Sequence, residues 1–580
     1  MKKIILNLLK RYSVFFVIEF IFLVLNTYVV TLPLKFLGKI IDLINDAQQN
    51  KTEITNLVLL LLGASLLILV VRIIWKMVES YISRNMVKNL REISYKKLLK
   101  IDNTTLNSIK NGEIMTYFVK DIKEIDKFIT YISSLIIRLV FNFIVIGIII
   151  NQSSSLKLMS ISMAPILISV ILIMMLSQIL EKNYQMSRKQ FTELSNFVQE
   201  NTDSIRTTKA YVGEEVQYEQ FYKQNTNLKN INFKISKLDS LLNNIIAIGI
   251  GFSIGLFILF GSKDVLNNQI SVGDFVAVNG YLVLMASPIC WVPWVMKHCK
   301  KVKVSYNRLN TYFNLPEEKI TISNNNEEKL KGEIEIKNLT FCYPNCIEPV
   351  LEDIDISIKP GKSLGIIGTV GSGKTTLMNL ITKLYQVPNN HIFIDGKDIN
   401  EIKINTIRNN ICYITQDNFL FSATLKENIN LFRDIYDEED IINSTQKSMI
   451  YNEIENMNDG IETIVGEKGI DLSGGQKQRV AISRAFLKDS NILIFDDTFS
   501  ALDNRTEQSL LGNLKEFTQE KTCIIVSNRI SDIRHCDEIV VLEHGKIVER
   551  GVHNSLIKNK KYYYNFYKNQ AEKSNLDFLV

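Results

Sequence analysis

Apolar residues gather in six runs along the chain, near 13–35, 57–78, 130–150, 156–180, 241–265 and 272–297. Each is close to the ~20 residues that a helix needs to cross a hydrocarbon core, so the pattern predicts six membrane helices. The gaps between runs are unequal. NQSSS alone (151–155) joins the third and fourth runs, whereas long charged stretches separate the second from the third and the fourth from the fifth. Those stretches keep a helical spacing of apolar positions, which predicts helices that continue past the bilayer. A polar, Asn- and Glu-rich stretch, ISNNNEEKLKG (322–332), then breaks the pattern. Beyond it come alternating runs such as EIEIKNLTFCY and short helical patterns, as in an α/β domain. The expected organisation is a six-helix transmembrane domain over 1–321, a linker over 322–332 and an α/β domain over 333–580.

Charge fixes the orientation. The second–third connection carries Arg84, Lys88, Arg91, Lys96, Lys97, Lys100, Lys110, Lys120, Lys123 and Lys127. The first–second connection carries little but Lys51, beside Asp42, Asp46 and Glu53. Basic residues near helix ends mark the cytoplasmic side. The expectation is a multi-pass protein of the cytoplasmic membrane, with its N-terminus, long connections and C-terminal half in the cytosol. Glu19 and Arg72 lie near cytoplasmic ends of their runs, where snorkelling explains them; Arg138 is a candidate for an inner cavity. Trp291, Pro293 and Trp294 read as interfacial anchors.

Composition changes little in this picture. The chain has 580 residues with 67 basic and 61 acidic, a net +6, which gives no case for a nucleic-acid partner. Its cysteines (Cys290, Cys299, Cys342, Cys346, Cys412, Cys523 and Cys536) form no paired CxxC motifs and read as reduced, mostly buried thiols. The opening MKKIILNLLKRY is followed by no small-residue cleavage site, so a retained anchor is expected rather than a signal peptide.

The C-terminal half carries a phosphate motif. GTVGSGKTT (368–376) follows the apolar run SLGIIG and precedes LMNLITKLY, giving strand, glycine turn and helix in order. Glycines let backbone N–H groups close around phosphate oxygens at the positive end of a helix. The loop comprises Gly368, Gly371, Ser372, Gly373, Lys374, Thr375 and Thr376; Lys374 is expected to reach the β/γ-phosphates and Thr375 to hold Mg²⁺. ILIFDDTFSALD (492–503) supplies a second element: Asp496 closes an apolar strand and is a candidate Mg²⁺ ligand, or a simple strand-end cap.

These motifs resemble the ATP-binding cassette (ABC) exporters, in which six membrane helices are fused to one P-loop nucleotide-binding domain. LSGGQ (Leu472, Ser473, Gly474, Gly475, Gln476) looks like the family's signature, just before the helical run KQRVAISRAF. The resemblance implies cassettes that meet head to tail, each signature closing over the ATP held by the other. It also implies roles by position. Tyr343 would stack on adenine or stand as a core tyrosine, Gln416 would contact Mg²⁺ and sense the membrane domain, and Asp503 in SALD would lie in the loop crossing the dimer. Glu467 would be the acid of an exporter-specific loop. NGEIMTYFVKDI (111–122) and SIRTTKAYVGEE (204–215) are similar to segments whose short coupling helices press on the cassettes, or read as solvated charged helices.

Two positions depart from the family. Asp497 stands where glutamate is usual, and one methylene less withdraws the carboxylate by about 1.5 Å. Asn528, in TCIIVSNRISDI, stands where histidine is usual, and its neutral amide is a poor proton acceptor. Together they imply a site that binds ATP and Mg²⁺ but hydrolyses slowly. The expected molecule is the degenerate half of a heterodimeric exporter for a hydrophobic, amphiphilic or peptide-like substrate, working with a second half-transporter in the lipid bilayer. A homodimer with two slow sites, an ATP-gated or regulatory membrane ATPase, and an importer on the same fold stay open.

Overall fold

The computed structural model describes residues 1–44, 50–109, 111–153, 156–267, 269–318, 329–344, 346, 348–466 and 472–574. The chain forms two compact units. One comprises Met1–Leu99 and Lys110–Leu315, the other Lys100–Ile109 and Pro316–Val580.

The first unit is helical. It begins with α1 (Lys2–Arg11), α2 (Ser13–Val29), α3 (Leu32–Ile44) and α4 (Lys51–Leu98). The chain then visits the second unit, forming α5 (Asn103–Ser108), and returns. Next come α6 (Asn111–Thr116), α7 (Ile122–Lys127) and α8 (Ser133–Ser153), separated by single π-turns at Tyr117–Asp121 and Phe128–Ile132. The unit closes with α9 (Leu156–Asp203), α10 (Ile205–Ala210), α11 (Glu214–Leu266), α12 (Val272–Cys290) and α13 (Val292–Phe313). Among the described residues five helices are long and apolar enough to cross a membrane, and the sixth apolar run forms α12. α4 and α9 have 48 residues and α11 has 53. At 1.5 Å per residue each exceeds about 70 Å, twice the hydrocarbon thickness, so these helices extend well beyond it.

Small residues let α3 and α12 approach closely. A Cβ added to Gly273 would lie 2.0 Å from the carbonyl oxygen of Gly38. Asp42 on α3 accepts the Gly273 N–H at 2.6 Å and the Ser271 hydroxyl at 2.7 Å, satisfying donors at the start of α12. Glu19 does not snorkel. It is only 5% exposed, facing the helix bundle, while Arg72 is exposed. Arg138 lies over the Trp75 ring at 5.0 Å. Trp294 packs on Tyr131 and His298, with ring centroids at 5.4 and 4.1 Å, so it is tied into the bundle.

The second unit is α/β. β1 (Ile334–Phe341) and β2 (Leu351–Ile358) pair antiparallel, and β3 (Ser363–Gly368) leads into α14 (Lys374–Ile381). Then follow β4 (Ile392–Ile394), β5 (Lys397–Asp398), α15 (Ile404–Asn410) and β6 (Ile411–Ile414). A helical excursion contains α16 (Leu425–Asn430), α17 (Glu438–Lys447), α18 (Tyr451–Glu455) and α19 (Gly474–Leu487). The chain ends through β7 (Ile492–Asp496), α20 (Asn504–Phe517), β8 (Thr522–Val526), α21 (Ile530–Ile533), β9 (Glu538–Glu543), β10 (Lys546–Gly551), α22 (His553–Asn559) and α23 (Tyr562–Ser574). The main sheet has the order β10-β9-β3-β8-β7-β6, parallel except for β10; β2-β1-β4-β5 form an antiparallel second sheet. β7 is buried along its whole length, as expected of a parallel strand covered on both faces.

The expected linker at 322–332 falls mostly outside the described residues, as do Asn345, Ile347 and Glu467. Cys412, Cys523 and Cys536 are buried, but Cys342 and Cys346 are exposed, so burial is not the rule for the thiols.

Candidate functional site

Three strands in the middle of the main sheet, β3, β8 and β7, end side by side. β8 lies between β3 and β7, with Ile366 and Asp496 both paired to Val526. Gly368, Asp496 and the turn after Val526 therefore emerge side by side at the carboxyl ends of parallel strands, where α/β sheets bind ligands.

The glycine loop fits a phosphate. Gly371 and Gly373 adopt φ of +83° and +100°, which side-chain-bearing residues rarely tolerate. A Cβ on Gly373 would also lie 2.7 Å from Leu351 Cδ2 and 2.9 Å from the Val350 carbonyl oxygen. Ser372 is 2% exposed, and its hydroxyl has no partner among the described residues. Lys374 donates from Nζ to the carbonyls of Gly368 and Thr369, both at 2.9 Å. Burial pulls the Lys374 pKa down, against the pull of Asp496 and Asp497. A half-buried ammonium next to one buried hydroxyl without a partner is chemistry suited to a phosphoanion.

Asp496 is 2% exposed at the end of β7. Burial pushes its pKa above the ordinary carboxylate range, opposed by hydrogen bonds from Thr375 and from Tyr413, whose hydroxyl donates to Oδ2 at 3.2 Å. The Thr375 hydroxyl and Asp496 carboxylate are thus already together. They form an all-oxygen donor pair of the kind Mg²⁺ prefers. Gln416, two residues beyond β6, is exposed and makes no side-chain hydrogen bond among the described residues.

Tyr343 is half-buried, packed edge-on against Phe341 and Tyr385 with centroids at 5.2 and 5.1 Å. Its hydroxyl pairs with Thr376 Oγ1 at 3.0 Å, which ties it to the helix behind the glycine loop. Asp497 has φ of 49°, a left-handed conformation that aspartate tolerates better than most residues. Asn528 is exposed at the end of the β8 turn.

LSGGQ opens α19. Ser473 is its N-cap: Oγ accepts the Gln476 N–H at 3.2 Å, and Gln476 Oε1 accepts the Ser473 N–H at 2.8 Å. Gln476 also donates to Glu453 at 2.8 Å. Leu472 is half-buried, Ser473 and Gly474 are exposed, and a Cβ on Gly475 would lie 3.0 Å from the Ala501 carbonyl. A capped 14-residue helix with small, open residues at its start suits an anion brought from outside. Asp503 caps α20 by accepting the Thr506 N–H at 3.0 Å, which holds its pKa low.

Sequence reasoning missed α5. Asp102 caps it, accepting the Thr105 N–H at 2.6 Å, and Asn107 donates to the Tyr385 hydroxyl at 2.8 Å. The docked short helix thus precedes 111–122, which instead runs through α6, a π-turn and into α7. Within 204–215, α10 links two long helices, and Tyr211 and Val212 beside it are 83% and 84% exposed.

Comparison with known proteins agrees with this architecture. Residues 16–289 match the family described as the ABC transporter transmembrane region, and residues 351–500 match the family described as ABC transporter. The chain is 32% identical to a "Multidrug resistance-like ATP-binding protein MdlA" of Buchnera aphidicola subsp. Baizongia pistaciae, over 96% of this chain and 98% of that protein. It is 30% identical to an "ATP-dependent lipid A-core flippase" of Pasteurella multocida, over 64% of this chain and 66% of that protein. Among solved structures, a bacterial Atm1-family ABC exporter with ATP bound is similar in fold, with a TM-score of 0.80, 23% identity, and coverage of 96% and 99%.

Proposed function

Since this chain belongs to the ABC exporters that join a transmembrane region to an ATP-binding domain, we propose that it is the slow-site half of a two-chain exporter in the cytoplasmic membrane. Its substrate is hydrophobic, amphiphilic or peptide-like, as suits a chain similar to multidrug-type proteins and a lipid flippase. Its partner is a second half-transporter that supplies a better hydrolytic site.

Lys374, Ser372 and the loop amides bind the ATP phosphates, Tyr343 holds the adenine side, and Thr375, Asp496 and Gln416 hold Mg²⁺. Bound there, the cation offsets phosphate charge. Ser473, Gly475 and Gln476 complete the ATP site facing them, and Asp503 lies in the loop between the two. α5 and the tip at α10 carry closure of the cassettes to the membrane helices. ATP binding favours one arrangement and hydrolysis releases it.

The observation that carries the slow-site reading is that Asp497 and Asn528 follow the carboxyl ends of the neighbouring strands β7 and β8, with the Asp497 N–H bonded to the Val526 carbonyl at 2.8 Å. The short carboxylate and the neutral amide leave the attacking water without a well-placed base. Steady-state ATPase of the chain in lipid, alone and then mixed with a candidate partner, tests it. Near-zero turnover alone with strong activity on mixing is expected. Brisk Lys374-dependent turnover alone means a working homodimer instead, and ion conductance without vectorial transport means a gate.

A further inference from the structure

Asn528 sits in a clamp that ATP binding alone does not require. Gln570, on α23, donates from Nε2 to the Asn528 carbonyl at 2.6 Å. The same side chain accepts the Ile530 N–H at Oε1, at 3.0 Å. One amide therefore brackets the loop on both sides of Arg529. Its helix is firmly rooted: Tyr563 is fully buried, its N–H donates to Glu549 at 2.7 Å, and its hydroxyl pairs with His553 Nδ1 at 2.8 Å.

Arg529 extends the clamp in the other direction. Its guanidinium donates to the Ser500 carbonyl at 3.0 Å and to Glu507 at 2.7 Å, and Glu507 is 3% exposed. Its backbone N–H donates to Ser527 Oγ at 2.9 Å. Ser500 and Ala501 are held in turn by Gln478: Nε2 donates to Ser500 Oγ at 3.2 Å, and Oε1 accepts the Ala501 N–H at 3.0 Å. Gln478 lies on α19, two residues past LSGGQ. The links run without a break from α23 through Asn528, Arg529 and the SALD turn to the signature helix.

We propose that Gln570 and Arg529 are positioning residues that couple nucleotide occupancy at this chain's glycine loop to the placement of Ser500–Asp503 and of LSGGQ. This rests on the ATP-binding reading above. Asn528 is exposed and follows Ser527, whose N–H donates to the Ile366 carbonyl of β3 at 3.1 Å, two residues before Gly368, so a phosphate held by the glycine loop meets Asn528 before the rest of the clamp. Asn528 and Arg529 share a peptide unit, so a shift of one turns the other. A charge-assisted bond then carries the shift to the Ser500 carbonyl. Because LSGGQ faces another chain's ATP, the state of this site is transmitted to a site it does not touch. Coupling of this kind needs one element whose position both sites bias, and the SALD turn is that element.

The test uses the full chain in lipid nanodiscs, with amide hydrogen exchange over 498–503 and 473–478 read with and without MgATP, and affinity read with a fluorescent ATP analogue. The variants are Gln570→Met, which keeps length without donor or acceptor, Gln570→Glu, which accepts from Ile530 but cannot donate to Asn528, and Arg529→Lys. ATP is expected to protect both segments in the parent chain. All three variants are expected to keep the affinity while the protection falls by about fivefold, the low end of ordinary coupling. Unchanged protection in Gln570→Met and Arg529→Lys overturns the proposal, as does a parent chain that binds ATP without protecting 498–503. A merely structural role would lower the melting temperature and the affinity together. A parent chain that binds no more analogue than Lys374→Ala removes the ATP-binding reading, and the coupling with it.

Discussion

The Asp497 N–H donates to the Val526 carbonyl at 2.8 Å, so the second aspartate of the DD pair is fastened to the strand that leads to Asn528. That bond holds Asp497 in its left-handed conformation and fixes where its carboxylate starts. Lengthening the side chain is then the way to move the carboxylate forward. The double variant Asp497→Glu/Asn528→His is expected to raise turnover of the chain alone by about 10²-fold, the lower range for general base catalysis. Phosphate release in lipid measures it. No gain would show that the site is slow for another reason.

Lys374→Ala removes the ammonium that donates to Gly368 and Thr369. Losing a charge-assisted hydrogen bond costs about 1.5–3 kcal/mol, so ATP affinity is expected to fall by about 10-fold or more. Equilibrium titration with a fluorescent ATP analogue reads the change. Equal affinity would mean that the phosphate lies elsewhere.

Ser473→Ala removes the α19 cap, at about 1 kcal/mol. It also removes the hydroxyl offered to the facing nucleotide, and loss of one such donor lowers turnover there by about 10²-fold. ATP binding by this chain's own loop is expected to stay intact, and Ser473→Thr to recover part of the turnover. Full ATPase in a complex carrying Ser473→Ala would argue against a shared site.

Asp532 gives a pH signature. Burial, with Glu507 beside it, raises its pKa from 3.8 to about 7, against the Ser527 hydroxyl that donates to it at 2.5 Å. The folded state therefore holds a proton that the unfolded chain releases. Its contribution to stability is present in full at low pH and is lost as pH rises from 3.8 to about 7. Asp532→Asn is expected to flatten that part of the curve. Melting temperature against pH, wild type beside variant, tests it; parallel curves would mean that Asp532 ionises normally in the fold.

The parts of the fold readable in the sequence are those written in contiguous residues. Apolar runs of bilayer length need no partner to be recognised, and neither does a glycine turn between a strand and a helix. The apolar run at 492–495 ending in Asp496 announces its own position at a strand end. What stayed hidden depends on residues distant in sequence. Gln570 meets Asn528 across 42 positions, and Asn107 meets Tyr385 across 278. Nothing local marks either. Glu19 reads as a snorkelling charge because its run ends nearby, but the helices around it enclose it. α5 did carry a local signal, the Asp102 cap before Asn-Thr-Thr, which the stronger charge pattern around it obscured.

The second unit is assembled from two separate stretches of chain, Lys100–Ile109 and Pro316–Val580. They are stitched together where Ile101 bridges Glu317 and the Glu318 N–H donates to the Lys100 carbonyl at 2.7 Å. Arg408 then forks onto the Glu318 carboxylate with both bonds at 3.0 Å. The ATP-binding unit of this molecule is therefore discontinuous in sequence. A chimera that exchanged only the residues after the linker would leave the host's ten-residue stitch against a foreign partner surface. Grafting an ATP-binding half from one such protein onto another must carry both pieces.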